Sequence, residues 1–256
     1  MDLRYSLAGL VVGFLIGFSG IGGGSLMTPL LILLFKINPL IAVGTDLLYN
    51  APTKLLGAIV HSRQKTVNWR LVGFLAAGGI GGALIALIAL FFARQHLDVR
   101  SLDRAIRHAV GIAVIGSAVL ILVAPFFRPS KNREATLAAL SVRAKLIAIG
   151  VLVGVVVTIT SIGAGAVTLP LLLLMFPSIE AQILVGTDVA FGAVIVPVAA
   201  AGHWSLGTIN LAICGMLLIG SLPGVYIGSR VSKVLPLKYL RPALAGVLIL
   251  AGSRLI

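Results

Sequence analysis

One apolar segment with a glycine cluster at its centre occurs twice in this chain. Residues 13–35 read GFLIGFSGIGGGSLMTPLLILLF, and residues 154–176 read GVVVTITSIGAGAVTLPLLLLMF. Interrupted helices inside a lipid bilayer occur only where the backbone is buried in protein or lines a cavity. A broken apolar helix at corresponding positions of two halves is the sequence pattern that points to the binding site of a transporter.

The composition indicates a membrane protein. Of 256 residues, 59% are hydrophobic and 11% are charged, whereas a soluble domain has about 25% charged residues. The formal charge is +13, but the basic residues form short clusters between apolar runs, as in loops that contact lipid headgroups. We therefore expect a multi-pass protein of the inner (plasma) membrane, with membrane lipid as a partner and no nucleic acid.

Eight apolar segments account for nearly the whole chain, in two groups of four separated by a polar, basic stretch. We expect an N-terminal repeat over residues 1–127, a connecting loop over 128–144 and a C-terminal repeat over 145–256. The fold class that follows is an all-α integral membrane bundle of two homologous repeats. The segments cover approximately residues 6–35, 42–61, 70–92, 105–127, 145–176, 181–202, 208–229 and 237–256.

The two groups of four segments are copies of one another. Small and polar residues match at a nearly constant offset, which is 141 near the glycine clusters and 142 beyond them. Chance matching does not give so many identities in one register, so the chain contains an internal duplication. The matched pairs include Gly13 and Gly154, Pro29 and Pro170, the VGTD sequences at 43–46 and 185–188, His61 and His203, Thr66 and Thr208, and Asn68 and Asn210.

The duplication allows two topologies. If all four segments of a copy cross the membrane, the two copies have the same orientation. If the first segment is a re-entrant hairpin, each copy crosses three times and the copies are inverted. The first segment is roughly 45 Å long as a straight helix, against a hydrocarbon core of about 30 Å. The hairpin topology also places most Lys and Arg on the side of the connecting loop, which the positive-inside rule assigns to the cytoplasm.

Each glycine cluster is followed by a new half-helix, which we expect to begin near Ser25 and near Ala166. The first N–H groups of a helix lack intrahelical partners and carry partial positive charge. Two such ends meeting near the membrane midplane would bind a small anion. The alternative is that the glycines only permit close helix packing. The candidate residues are Ser19, Gly22, Gly23, Gly24, Ser25, Thr28, Thr160, Ser161, Gly163, Ala164, Gly165, Ala166 and Thr168.

Lys54 lies inside an apolar segment, close to Asn50 and Pro52. Its counterpart in the second copy is Val196, so the shared fold does not require a lysine there. Ionisable residues inside a membrane segment are functional candidates. We expect Lys54 to supply the countercharge for an anion or to pair with an aspartate.

Four further ionisable residues have two interpretations each. Asp46 and Asp188 are either caps near a helix start or protonatable groups that couple transport to protons. His61 and His203 are either interfacial residues at a helix end or members of a proton relay.

Two asparagines are candidate helix caps, and the sequence lacks the common catalytic and nucleotide-binding motifs. Asn68 and Asn210 are expected to cap the helices that follow them. No Ser/His/Asp arrangement, HExxH sequence or ATP-binding glycine loop is present, so we expect no enzyme, no catalytic residues, no metal site and no cofactor. A gradient or a separate protein must supply the energy for transport.

The paired GxGGG and GxGAG half-helices, the VGTD sequences and the His-x4-Thr-x-Asn elements resemble those of the sulfite exporter TauE/SafE family. The resemblance covers nearly the whole chain. It implies a secondary transporter of sulfite, sulfonates, sulfoacetate or related anions, but it supplies no list of site residues. One departure is Ala164, which stands where the first cluster has Gly23 and would make the two half-sites unequal.

The sequence therefore predicts an exporter that binds a small anion between two half-helix ends and works by alternating access. A passive channel for anions or solutes and a non-transporting membrane scaffold are the alternatives. A homodimer is compatible with the sequence.

Overall fold

The computed structural model describes residues 3–19, 24–123, 140–231 and 237–256. Throughout these ranges the regular secondary structure is helical, as the sequence predicts. The helices are α1 (Leu3–Ser19), α2 (Gly24–Leu33), α3 (Pro39–Arg63), α4 (Trp69–His96), α5 (Val99–Val123), α6 (Leu140–Thr160), α7 (Thr168–Met175), α8 (Ala181–Ser205), α9 (Leu211–Val231) and α10 (Leu237–Ser253).

Helices α4, α5, α6 and α8 are each long and apolar enough to cross a membrane. The first segment of each half is broken as predicted, into α1 and α2 and into α6 and α7. The second half-helix begins at Gly24 in the first half and at Thr168 in the second, within two residues of the expected positions. The pieces are unequal, because α6 has 21 residues and α7 has 8. The chain is therefore a helical multi-pass membrane protein.

The first helix of each half packs against a helix of the other half, α1 against α9 and α6 against α4. Each of these four helices carries two glycines spaced four residues apart, and a Cβ at any of them would overlap the backbone of the partner helix. Glycines at this spacing let two membrane helices approach closely. The glycines are Gly9 and Gly13 on α1, Gly220 and Gly224 on α9, Gly78 and Gly82 on α4, and Gly150 and Gly154 on α6.

Helices α3 and α8 form the central pair of the structure. They run in opposite directions, because Gly44 near the start of α3 contacts His203 near the end of α8, whereas Gly57 contacts Val189 near the start of α8. Pro39 at the first position of α3 suits a helix start, since its missing N–H needs no partner there. Most of the buried polar side chains described below belong to this pair.

The start of α1 and the chain just after α2, which are the two ends of the first broken segment, lie next to one another. Tyr5 near the start of α1 stacks on Phe35, which follows α2, with ring centroids 4.4 Å apart. Chain direction therefore reverses at the break between α1 and α2. The half-helix α2 packs mainly on α3.

Replacing Gly82 with valine should destabilise the protein, because the new side chain would separate α4 from α6. Overpacking of this kind costs roughly 1–3 kcal/mol. The matched control is Gly81→Val, since Gly81 is the neighbouring glycine on the same helix and a Cβ there meets open space. Thermal unfolding of the purified protein in detergent measures both. Equal losses of stability in the two variants would contradict the close helix crossing.

Candidate functional site

Lys54 of α3 reaches across the central pair to the second break, residues 161–167. Its side chain is 9% exposed and runs over Gly192 of α8, where an added methyl group would lie 3.2 Å from the Lys54 Cδ atom. The ammonium group donates a long hydrogen bond, 3.5 Å, to the carbonyl oxygen of Ala164. The missing side chain at Gly192 is what leaves room for the lysine.

The second break is held by a carboxylate. The N–H group of Gly165 donates to Oδ1 of Asp188 at 3.0 Å, and the hydroxyl of Thr168 lies against the same carboxylate. Asp188 is 3% exposed and attracts Lys54 electrostatically. Gly163 and Gly165 have φ angles of 143° and 104°, which favour glycine because a Cβ disfavours them.

Several hydrogen-bond donors at the second break are unused. The hydroxyl of Ser161 is buried and makes no hydrogen bond to the described residues, although Ser161 lies beside Asp46. Its φ angle is 61°, a conformation that non-glycine residues adopt rarely. The N–H groups of Gly163, Ala164 and Ala166 likewise make no hydrogen bond within the described ranges. The Lys54 ammonium reaches the same break through its contact with the Ala164 carbonyl oxygen.

Asp46 occupies a different environment, although it is the counterpart of Asp188. Its Oδ2 accepts from Thr28 of α2 at 2.6 Å, and its Oδ1 accepts from Asn50 at 2.8 Å. Asp46, Asn50 and Lys54 are spaced by four residues and therefore lie on one face of α3. That spacing is visible in the sequence and predicts Asn50 as a site residue, which the motif analysis missed.

The interpretation of the two aspartates as helix caps is wrong. Helix α3 begins at Pro39 with Asn38 as its cap, so Asp46 lies two turns inside the helix. Helix α8 begins at Ala181, and Asp188 likewise lies inside it. Both carboxylates are therefore buried within the bundle rather than at its ends.

The VGTD sequence of each half docks on the other half, and we call these two contacts latches. In the first latch, the N–H group of Asn210 donates to Thr45 Oγ1 at 3.0 Å. In the second latch, the N–H group of Asn68 donates to Thr187 Oγ1 at 3.0 Å. Because α3 and α8 run in opposite directions, the latches lie at opposite ends of the central pair, roughly 20 Å apart at about 1.5 Å per residue.

Glycines complete both latches. A Cβ at Gly44 would lie 2.5 Å from the carbonyl oxygen of Thr208, and one at Gly186 would overlap the backbone of Thr66. The first two residues of the shared Gly-Thr-Asp therefore serve contact between the halves, and the aspartate faces the interior.

The two histidines hold the turns on which the latches form. His61 Nδ1 lies 2.9 Å from Thr66 Oγ1, and His203 Nδ1 lies 2.8 Å from Thr208 Oγ1. His203 is buried, and its Nε2 also bonds the carbonyl oxygen of Thr158 at 2.9 Å. These hydrogen bonds give both histidines a structural role.

Of the remaining candidates, the two asparagines have the capping role that the sequence predicts, whereas Thr160 has a structural role. Asn68 and Asn210 cap α4 and α9, as predicted, by accepting from Leu71 and Ile213. The hydroxyl of Thr160 is used inside the break, where it donates to the Val156 carbonyl oxygen at 2.6 Å and accepts from the Ile162 N–H group at 3.1 Å.

Part of the first glycine cluster cannot be placed. Gly22 and Gly23 lie outside the described residues, as does the side chain of Ser19, whereas Gly24 begins α2. Ser25 and Ala166 are buried. The described part of the chain contains no group of His, Cys, Asp and Glu residues suited to a metal ion.

Comparison with known proteins places the chain in a family. A sequence model of the family described as sulfite exporter TauE/SafE matches residues 5–255. The chain is 40% identical to the probable membrane transporter protein YjnA of Bacillus subtilis, over the whole length of both proteins. It is 28% identical to YdhB of the same organism, over 94% of this chain and 96% of YdhB, which is also called a probable membrane transporter protein.

A probable membrane transporter protein of Methanocaldococcus jannaschii is 26% identical, over 96% of this chain and 92% of that protein. No solved structure matches the chain. The matched range spans both halves of the chain. The chain therefore belongs to the sulfite exporter TauE/SafE family of membrane transporters.

Proposed function

We propose that the protein is a secondary transporter that exports a small anion, such as sulfite, a sulfonate or sulfoacetate, across the inner (plasma) membrane. Lys54 is the observation that carries this proposal. Its ammonium group is buried, and a long bond to a carbonyl oxygen is its one hydrogen bond to the described residues. Burying a charge costs several kcal/mol unless it is paired and hydrogen-bonded. The attraction of Asp188 pairs the Lys54 charge, and a bound anion would add the strong hydrogen bonds that the lysine lacks.

The unused donors at the second break support an oxyanion as the substrate. A ligand with several acceptor oxygens would suit the four unused donors, which are the Ser161 hydroxyl and the N–H groups of Gly163, Ala164 and Ala166. A sulfite or sulfonate group has three such oxygens and a negative charge. Hydrogen bonds to a charged acceptor are roughly twice as strong as those between neutral groups.

We also propose that the two halves are inverted repeats that work by alternating access. The opposite directions of α3 and α8 support inversion, and the stacking of Tyr5 on Phe35 supports a re-entrant first segment. The two latches at opposite ends of the central pair then serve as gates on the two sides of the membrane. Opening one latch while the other stays closed would expose the site to one side at a time.

A passive channel and a scaffold remain the rival functions. Lys54, Asp46 and Asp188 are all buried, which supports a closed carrier over a continuous pore. A scaffold has no need of three buried charges at a helix break. Saturable uptake with counterflow of labelled substrate in proteoliposomes identifies a carrier, whereas unsaturated currents identify a channel.

Replacing Lys54 with glutamine should raise the apparent KM for sulfite or methanesulfonate about tenfold to a hundredfold. Charged hydrogen bonds of this kind contribute roughly 1.5–3 kcal/mol. Uptake of the labelled anions into proteoliposomes measures the effect. Lys36→Gln is the matched control, because Lys36 is exposed and lies in the turn after α2. Unchanged kinetics in Lys54→Gln would remove the lysine from the site, and no anion uptake by folded wild-type protein would refute the proposed function.

Replacing Ser161 with alanine should weaken anion binding about fivefold without reducing stability. The hydroxyl lies beside Asp46 but makes no well-formed hydrogen bond to the described residues, so its loss removes at most a weak internal contact, whereas a bound oxyanion loses a donor worth roughly 1 kcal/mol. Substrate affinity and thermal unfolding of the same preparations measure the two effects. Lower stability with unchanged affinity would assign Ser161 a structural role.

Weakening one latch at a time should change the two faces of the carrier in opposite ways. Thr45→Val removes the acceptor of the first latch, and Thr187→Val removes that of the second. Each loss costs roughly 1–3 kcal/mol and should shift the balance of open states about fivefold or more. The apparent KM at each face of oriented proteoliposomes reports the shift. Shifts in the same sense for both variants would contradict a gating role.

A further inference from the structure

We propose that each substrate anion crosses the membrane with one proton, and that the carboxylate of Asp188 carries this proton. This inference rests on the proposed function and concerns the same site. It selects one residue from the four ionisable candidates, Asp46, Asp188, His61 and His203.

Asp188 already occupies the donors that an incoming anion requires. Its Oδ1 accepts from the Gly165 N–H group at 3.0 Å, and its negative charge attracts Lys54. Lys54 itself bonds the carbonyl oxygen of Ala164, the residue next to Gly165. The carboxylate therefore stands at the edge of the anion position and competes with the substrate for the same partners.

Charge balance determines what happens when the anion binds. Without substrate, the Asp188 carboxylate and the Lys54 ammonium sum to zero. An added monovalent anion pairs with Lys54 in place of the Asp188 carboxylate. One negative charge in the buried site is then uncompensated, which is strongly unfavourable. One proton taken up by the carboxylate restores neutrality, and the resulting carboxyl group donates a hydrogen bond to the anion or to a nearby carbonyl oxygen. Release of anion and proton on the other side regenerates the original pair.

Among the residues that the structure describes, the surroundings of Asp188 offer no other cation at the break. Helix α8 packs chiefly against α3, α4, α6 and α7, and neither α7 nor the second break has an ionisable side chain. On α3 the near group is Lys54, and on α8 the other titratable side chain is His203, four turns away. The ionisable residues elsewhere on these helices lie toward helix ends or around Asp46, and they are Arg70, Arg94, His96, Arg143, Lys145, Tyr49, His61 and Arg63.

Asp46 corresponds to Asp188 in the first half of the chain, but its hydrogen-bond partners differ. It is equally buried, but its two oxygens are bonded to Thr28 and Asn50, and it lies eight residues from Lys54 on α3, about 12 Å along the helix. An anion at the second break does not take these two partners, although the Ser161 hydroxyl of the break lies beside Asp46. Asp46 is therefore the matched control for Asp188.

Labelled methanesulfonate tests the coupling, because this anion carries one charge at every pH used and cannot itself supply a titrating proton. Wild-type protein in proteoliposomes should accumulate it on the alkaline side, about tenfold per pH unit. A membrane potential set by potassium and valinomycin, without a pH gradient, should give no accumulation, because anion and proton together carry no charge.

Asp188→Asn should abolish accumulation driven by the pH gradient but retain exchange of labelled for unlabelled methanesulfonate. Asp46→Asn should retain accumulation. A second measurement uses the unmutated protein in detergent, where binding of methanesulfonate should take up about one proton per anion, read from a pH indicator in weak buffer. This reading tests the coupling even if Asp188→Asn does not fold.

The outcomes separate the two proposals. Uptake driven by the potential and indifferent to pH overturns the coupling and leaves the anion carrier intact, as does binding without proton uptake. Coupling that survives Asp188→Asn but is lost in Asp46→Asn overturns the choice of residue. Neither uptake nor exchange by folded wild-type protein overturns the carrier and the coupling together.

Discussion

Backbone polar groups at the centre of a bilayer must find partners inside the protein, and the second break is organised by this requirement. After α6 ends, the Ser161 N–H group bonds the Val157 carbonyl oxygen at 2.7 Å, and the Val167 N–H group bonds that of Gly163 at 3.0 Å. Thr160 and Asp188 satisfy two further N–H groups with side-chain oxygens. Unsatisfied groups in hydrocarbon cost several kcal/mol each, so the donors left over at this break are expensive unless a ligand uses them.

Close helix crossings make such a break possible. The glycine pairs on α1, α9, α4 and α6 bring helices of opposite halves into backbone contact, and they hold α6 and its break inside the bundle. The exchange of partners between halves also means that the first piece of each broken segment, α1 or α6, packs chiefly against the other half. Stability and the position of the site therefore depend on the same contacts, and changes at the crossings are expected to affect both.

The sequence predicted features that are local and missed those that join the halves. The positions of the breaks, the asparagine caps and the lysine at an unusual depth follow from glycine, capping and hydropathy patterns within short windows. A duplicated motif, however, does not state whether its partner lies in its own copy or in the other. For that reason the pairing of Thr45 with Asn210, the packing of α1 on α9 and the contact of Lys54 with the Ala164 carbonyl oxygen required the structure.

The site depends on two complementary departures from the duplication. Lys54 corresponds to Val196, and Gly192 corresponds to Asn50. The first half therefore has a long cationic side chain, and the second half has no side chain at Gly192, where the lysine passes. A methyl group at Gly192 would lie within 3.3 Å of both the Lys54 side chain and Ala164, and an asparagine there would block the lysine. The Lys54 ammonium consequently approaches the second break. The two equivalent aspartates therefore have different surroundings, because Asp188 lies at the break that Lys54 reaches, whereas Asp46 is bonded to Thr28 and Asn50.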